Sequence, residues 1–437
     1  MKYQEFIDYI YQRHSGNVKL GLDRMHAILD AMNNPQSKLR GIHIAGTNGK
    51  GSTAAMCEAM SIAHEMKTGM NTSPHLVDYR ERFRLNGKLI DFEELISIYK
   101  KWEHTFEENE ASFFEITTAL AFYCFLLHNI DTAIFEVGLG GRLDGTNPFN
   151  ATVSVITNIS YDHTKSLGAT LSKIAYEKAG IIKPDVPVII GKMHKNARDV
   201  IRKIAREKNA PLYSYENDFR INNVSVNHDG TYFDYYSPDL SFQGLKTNLL
   251  GSHQAMNAAM AITAFKLYMK RINHKIDAKQ IRSALHNVHW PGRLQIINQN
   301  PLILVDGAHN EKGVKNLVAN LKQIYPHKKV LFVMAILRDK NLKEIIKSIC
   351  YISSKIYISK NQSTRAAEIE DQQRYVQKFG TEYEVIHDVV LATKKAISDA
   401  SDADVIIISG SLYTISEVLK ANTDIFDNDP LKKISNY

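Results

Sequence analysis

Short apolar, β-branched runs alternate with longer stretches of helical periodicity along most of this chain. Residues 42–45, 132–137, 153–157 and 186–190 form one series of predicted strands, and 302–306, 330–334, 355–358 and 405–409 form a second. Short runs of this kind, separated by helical stretches, predict mostly parallel sheets covered by helices. Between the two series the texture changes. Residues 211–249 alternate polar and apolar positions and carry Asn-His-Asp-Gly at 227–230, which predicts antiparallel hairpins. A helical stretch over 254–270 follows, and Trp290-Pro291-Gly292-Arg293 then punctuates the chain. The expected class is α/β. A parallel-sheet domain with a small antiparallel insertion covers 1–295, and a smaller Rossmann-like α/β domain covers 296–437.

Composition narrows the function classes. A chain of 437 residues, 44% hydrophobic and 23% charged, suits a soluble protein of two or three domains. The net charge of +7 is spread along the sequence, and the Lys/Arg-rich stretch 192–208 reads as one solvated helix face. A mild positive field attracts small anions, but there is no basic tract or paired motor motif, so nucleic acid is not an expected partner. Cys57, Cys124 and Cys350 show neither metal nor redox spacing and read as reduced thiols, which predicts a cytoplasmic protein. Residues 1–5 lack an apolar signal core. No apolar run reaches the roughly 20 residues that span a bilayer, and 116–127 reads as a buried helix.

The stretch Gly46-Thr47-Asn48-Gly49-Lys50-Gly51-Ser52 follows the first predicted strand and precedes an alanine-rich helical stretch over 53–64. Strand, glycine loop and helix in that order aim backbone N–H groups and a helix dipole at one small volume, which suits a phosphate. Lys50 adds a point charge for the outer phosphates, and Ser52 stands where P-loops place a magnesium ligand. The spacing departs from Gly-x-x-x-x-Gly-Lys-Ser/Thr, with two residues between Gly46 and Gly49 and Gly51 inserted before the serine. A glycine turn that binds nothing is the alternative; the lysine, the hydroxyl and the flanking elements together argue against it.

A second stretch, Phe135-Glu136-Val137-Gly138-Leu139-Gly140-Gly141-Arg142-Leu143-Asp144, begins at a predicted strand end. In open α/β sheets that edge receives ligands. Glu136 there can reach a nucleotide-bound magnesium ion, or it is a solvated glutamate beside a glycine turn. The next strand runs into Thr157-Asn158-Ile159-Ser160-Tyr161-Asp162-His163. His163 is a second metal ligand or a structural histidine.

Together these stretches resemble a known family. Ala45 through Ser52 is similar to the P-loop of Mur-type ATP-dependent amide ligases. The branch is narrowed by Leu20-Gly21-Leu22-Asp23-Arg24-Met25, Thr72-Ser73-Pro74-His75-Leu76, Glu136 through Asn147 and Glu177-Lys178-Ala179-Gly180-Ile181. Gly251-Ser252-His253-Gln254, Trp290-Pro291-Gly292-Arg293, Asp306-Gly307-Ala308-His309-Asn310 and Ser409-Gly410-Ser411-Leu412-Tyr413 complete it. That ordered set resembles the folylpolyglutamate synthase/dihydrofolate synthase family and covers nearly the whole chain.

The resemblance implies an ATP-dependent ligase that joins L-glutamate to dihydropteroate, to reduced folates, or to both, as a cytoplasmic monomer. A carboxylate is a poor electrophile; ATP phosphorylates it, and the amine of glutamate displaces phosphate. Such transfer needs positioning and charge neutralisation. By similarity, Thr47, Asn48, Gly49, Lys50, Gly51 and Ser52 hold ATP phosphates, with Asn257 at the adenine edge and Arg293 and Asp306 contributed by the far domain across a closing cleft. Ser52, Ser73, Glu136 and His163 would ligate Mg²⁺. Histidine is an unusual ligand for that ion, so His163 rests on the resemblance. Lys50, Lys178, His163 and His309 take catalytic places, and Lys178 is often carbamylated in the family. Val18, Lys19, Leu20, Gly21, Ser112, Phe114 and Asp144 align with pterin-contacting positions. Gly145, where alanine is common, and Ser112, where some members have threonine, put in question which pterin is preferred. Two other classes compete. A Mur-type cell-wall ligase would carry a UDP-sugar domain before the loop, and only 45 residues precede Gly46. A non-ligating P-loop ATPase is the other.

Overall fold

The computed structural model describes residues 2–13, 21–421 and 425. Its first sheet has eight strands in the order Lys88–Leu89, Arg84–Leu85, Thr68–Asn71, Thr132–Glu136, Gly41–Ala45, Val153–Ile156, Val188–Ile190 and Leu212–Ser214. The pairs from Thr68–Asn71 across to Leu212–Ser214 are parallel, while the two-residue strands at the far edge pair antiparallel. Gly41–Ala45 and its neighbours are buried at every position instead of alternating, as in a sheet covered on both faces.

One face packs against the helix Phe113–Leu127, which is apolar nearly all round and buries most of its side chains; the Phe122 ring lies tilted at 4.4 Å from Phe135 of the sheet. Leu171–Ala179 and Lys195–Glu207 cover the same face farther along the sheet, against Ala45, Ile156, Val188 and Ile190. In the latter helix Ala197, Ile201 and Ala205 point inward and the charged residues line the outside, as the sequence predicted for the basic stretch.

A three-stranded sheet, in the order Leu240–Thr247, Gly230–Ser237, Arg220–Asn227, is built from tight hairpins. The sequence expected this antiparallel texture from residue 211. Leu212–Ser214 instead extends the parallel sheet, because its partner Val188–Ile190 leaves an edge for it.

The third sheet has six strands in the order Gln295–Gln299, Leu302–Val305, Asp404–Ser409, Lys329–Met334, Ser353–Ile358 and Glu382–Val385. It is parallel except for its first strand. Helices Glu311–Ile324, Leu342–Cys350 and Ile369–Phe379 bury Val314, Leu317, Ile345, Ile349 and Val376 in its core.

Backbone packing divides the chain into two compact units. One runs to Asn223 and takes in Phe233–Lys246 and Ala255–Val288; the other comprises Val224–Tyr232, Thr247–Gln254 and the chain from His289 on. Among the described residues no helix is long and apolar enough to cross a membrane. Cys57, Cys124 and Cys350 are free thiols, the first two buried.

Candidate functional site

In the first unit the strand Gly41–Ala45 feeds directly into the glycine loop, and the helix begins at Lys50, not at Thr53 as the alanine run suggested. Gly49 is the cap residue at φ 87°, a backbone conformation that glycine adopts without Cβ strain. That geometry lets the helix start three residues earlier, so Lys50, Gly51 and Ser52 form its first turn. Thr53 N–H donates to Gly49 O at 2.9 Å, and the amides of that turn are those a helix start leaves for an anion. A Cβ on Gly46 would overlap the Thr157 hydroxyl, and one on Gly49 would overlap Asn257 Oδ1, so both glycines are needed for close approach. Asn257, buried on the helix Ser252–Arg271, thus lies against the phosphate loop.

The loop is held from the neighbouring strand end. Thr47 N donates to Asn158 O at 2.9 Å and Asn48 N to Asn158 Oδ1 at 3.2 Å. Thr157 Oγ1 and Asn158 Nδ2 both donate to Asn48 O at 2.7 Å, and Ser160 N donates to Thr47 Oγ1 at 3.0 Å. None of these holding groups was singled out in the sequence. Their position one strand over from the glycine loop in a parallel sheet was the available signal.

Lys50 Nζ stands 3.8 Å from Glu136 Oε1. Glu136 ends the strand that pairs with Gly41–Ala45, in register with Ile44, and its carboxylate is buried. Ser73 N donates to Glu136 Oε2 at 3.3 Å. Lys50, Glu136 and Ser73 are therefore joined, and Ser52 offers a buried hydroxyl in the same loop. His163 is exposed at φ 48° and precedes the short helix Thr164–Leu167. Its ring lies 3.9 Å from Asp162, whose side chain is only 8% exposed. Asp162, passed over in the sequence in favour of its neighbour, is the buried carboxylate of that segment.

Among the described residues no group of three or more His, Cys, Asp or Glu is arranged to hold a metal ion. Magnesium does not need one. It is commonly held by one or two carboxylates, with water and substrate phosphate supplying the remaining oxygens. The Glu136 carboxylate beside the Ser73 backbone and the phosphate loop fits that chemistry.

Lys178, in the last turn of Leu171–Ala179, is buried and donates to Gly46 O at 2.8 Å. A lysine in Glu-Lys-Ala-Gly reads as a surface residue; the loop carbonyl is what draws it inward. Burial first, then the nearby Lys50 charge, lower its pKa to about 7 from 10.5, while Asp162 and Asp144 pull the other way. Between those two pH values the unfolded chain binds the extra proton. Stability of the nucleotide-free protein is therefore expected to rise with pH across that window, by at most about 1.4 kcal/mol per unit. Denaturant unfolding at pH 7.5 and 9.5 should show the rise in the wild type and its loss in Lys178→Met. Equal slopes in both proteins would place the Lys178 amine in a wetter site.

The glycine stretch after Glu136 forms a loop strapped to the same helix. Arg142 N donates to Glu177 O at 2.7 Å, and the two side chains pair at 2.9 Å. Asn147 Nδ2 donates to Arg142 O at 2.9 Å, and Lys183 Nζ donates to Asn147 O at 2.6 Å. Asp144 is buried within this loop, and burial raises its pKa against the opposing backbone donors. The Phe114 ring lies over two glycines: a Cβ would meet it at 2.6 Å from Gly138 and at 3.3 Å from Gly145. Phe114 and Asp144 are thus brought together. Ser112 is the N-cap of Phe113–Leu127, its hydroxyl 2.6 Å from Glu115 Oε2 in a capping box. Gly21 is exposed. Val18, Lys19 and Leu20 lie outside the described residues.

In the second unit, Asp306 follows the strand Leu302–Val305 and is buried. Its carboxylate accepts from Leu294 N at 2.9 Å and Ala308 N at 2.8 Å. Burial raises its pKa, and Arg293 is the largest opposing influence. A Cβ on Gly307 would overlap the Arg293 guanidinium, and Gly307 N donates to Gly292 O at 2.8 Å, so the Pro-Gly turn and the Asp306–His309 segment are neighbours. His309 Nδ1 lies 2.8 Å from Gly307 O, which makes Nδ1 the protonated nitrogen and leaves Nε2 the lone pair when the ring is neutral. His253 is pushed down to about 4 by burial and by Arg293.

Comparison with known proteins matches this geometry. Residues 44–265 match the model of the Mur ligase middle domain, and 292–412 match that of the Mur ligase, glutamate ligase domain. The dihydrofolate synthase/folylpolyglutamate synthase of Bacillus subtilis is 34% identical, over 96% of this chain and 98% of its own length. The folylpolyglutamate synthase of Lacticaseibacillus casei is 31% identical, over 96% and 98%. Among solved structures, Mycobacterium tuberculosis folylpolyglutamate synthase complexed with ADP superposes with a TM-score of 0.90 at 29% identity, over 98% of this chain and 99% of that one. The Escherichia coli FolC protein in complex with DHPP and ADP superposes with a TM-score of 0.89 at 27% identity, over 97% and 98%.

Proposed function

Since this chain belongs to the dihydrofolate synthase/folylpolyglutamate synthase family of Mur-type ligases, we propose that it adds L-glutamate to dihydropteroate and to reduced folates, as a cytoplasmic monomer. The observation that carries the reading is the junction of Lys50, Glu136 and Ser73 at the mouth of the glycine loop. It supplies a phosphate cradle, a cation and an anionic oxygen ligand within a few ångströms. Three unpaired cysteines fit a reducing compartment.

In this reading the amides of Lys50, Gly51 and Ser52, with the Lys50 ammonium, hold the phosphates of ATP. Glu136, Ser73 and Ser52 would hold Mg²⁺, which when bound neutralises phosphate charge. His163 joins them as a ligand on the family resemblance alone. An oxygen of the pterin-bearing carboxylate attacks the γ-phosphorus and ADP leaves. The glutamate amine then attacks the acyl carbon, loses a proton, and phosphate departs with the former carboxylate oxygen. Phe114 and Asp144 take the pterin side. Arg293, Asp306 and His309 take the nucleotide-binding and catalytic places that the family resemblance gives them. Residues 1–295 and 296–437 are the proposed functional divisions.

The route makes a specific isotopic demand. With dihydropteroate labelled with ¹⁸O in its carboxylate, one labelled oxygen per amide formed should appear in inorganic phosphate. Amide formation without label in phosphate would overturn the acyl-phosphate route. Carbamylation of Lys178 draws support from its pKa near 7, which leaves much of the amine free to add CO₂ with loss of a proton. Turnover should then fall in CO₂-depleted buffer and return with bicarbonate; constant turnover would remove that modification from the reading.

A further inference from the structure

The strand that delivers the phosphate loop carries a buried histidine whose partner lies on the pterin-side loop. His43 is fully buried, and its Nε2 is 2.8 Å from Thr146 Oγ1. Thr146 Oγ1 is in turn 2.5 Å from Asp144 Oδ1, which also accepts from Thr146 N at 3.0 Å. The other Asp144 oxygen accepts from Leu139 N at 2.7 Å, and the Gly138 amide adds a further donor. Burial raises the Asp144 pKa, but backbone N–H groups on both oxygens, from Thr146 on Oδ1 and from Leu139 on Oδ2, fix both oxygens as acceptors. The single Thr146 hydroxyl proton therefore points at Asp144. Thr146 Oγ1 must accept from His43, so the imidazole is the Nε2–H tautomer.

Two observations agree. Nδ1 has no hydrogen-bond partner, as expected of the bare nitrogen; the other tautomer would bury an unpaired N–H and set two lone pairs face to face. Burial, with Lys183 nearby, lowers the imidazole pKa to about 3, so the ring is neutral at working pH. The Phe149 ring, edge-on at 6.0 Å, packs against the imidazole. A leucine would fill this site without burying a polar ring, so packing does not explain the histidine.

We propose that His43 is a positioning residue for substrate. Through Thr146 it orients the Asp144 carboxylate and the loop from Gly138 to Asn147, and it ties that loop to the strand on which the phosphate loop is mounted. The proposal rests on the reading that Asp144 lies on the pterin side. The relay ends on Asp144, not on the phosphates, so its loss should weaken the pterin substrate and spare ATP.

The test uses the full enzyme and five variants. His43→Leu should raise KM for dihydropteroate about tenfold, the size of one lost net hydrogen bond, with KM for ATP within about twofold. His43→Gln places an amide N–H where Nε2 lies and should restore most of that KM. Thr146→Val should match His43→Leu, and the double variant should be no worse than either single change. Amide hydrogen exchange at Leu139 supplies a readout independent of substrate; it should quicken in the Leu and Val variants and not in His43→Gln. Faster exchange with an unmoved dihydropteroate KM would overturn both the proposal and the pterin-side reading. Unchanged exchange and unchanged KM would make His43 a core residue, while an effect of Asp144→Asn on that KM would leave the pterin-side reading standing. Should His43→Leu fail to fold, Thr146→Val decides by the same measurements.

Discussion

Lys50→Ala is expected to lower ligation turnover by about a thousandfold, the scale of losing a charge stabiliser at a transferring phosphoryl group. The fold should survive. The bonds that hold the glycine loop run from Asn158, Thr157, Ser160 and Lys178 to loop backbone and to Thr47, and none uses the Lys50 side chain. Lys50 is paired with Glu136 at 3.8 Å, too long for a hydrogen bond, and the Glu136 carboxylate keeps its bond from Ser73 N in the variant. A thermal melt within a few degrees of the wild type, together with inactive protein, is the expected pair of results. A folded variant with near-normal turnover would remove the loop from the chemistry.

The second large effect is at Glu136. Glu136→Gln keeps the shape and deletes the charge. Turnover should fall about a hundredfold and the magnesium needed for half-maximal rate should rise at least about tenfold, as expected when an anionic oxygen ligand becomes neutral. Stability should hold or rise, because a buried carboxylate with one cation 3.8 Å away is costly to desolvate. Titrating the rate against magnesium at saturating ATP reads this directly. His163→Ala belongs in the same titration. A raised magnesium requirement would place the imidazole with Glu136, and an unchanged one would make it structural.

Much of this architecture was legible because the chemistry of its elements is local. The runs at 132–137 and 153–157 are β-branched and bounded by turns, and the structure has Thr132–Glu136 and Val153–Ile156 flanking Gly41–Ala45. The glycine loop announced itself between a strand and a helix. Other parts were hidden for physical reasons. Thr68-Gly69-Met70-Asn71 lies well inside the sheet, yet glycine and asparagine are poor strand formers and the segment is short; its position between two strands overrides propensity. The strand Glu382–Val385 has no buried residue, so no apolar run marks it.

The site shows the same division. Lys50 and Glu136 could be chosen from their own segments. The contact of Ser73 with Glu136 depends on which strands are neighbours, and strand order is not written in any one segment. The burial of Lys178 depends on Gly46 O, 132 residues away. Asn158, Asp162 and Thr146 stood inside quoted motifs but could be given work only once their cross-strand partners were known.

The most direct test of the ligase reading is product analysis. The full chain is incubated with ATP, magnesium and labelled glutamate, and dihydropteroate and tetrahydrofolate are offered in separate reactions. The account predicts labelled dihydrofolate from the first and a glutamylated tetrahydrofolate from the second, each with one ADP and one phosphate per amide formed. Label in neither product, with ATP hydrolysed regardless of substrate, would contradict it.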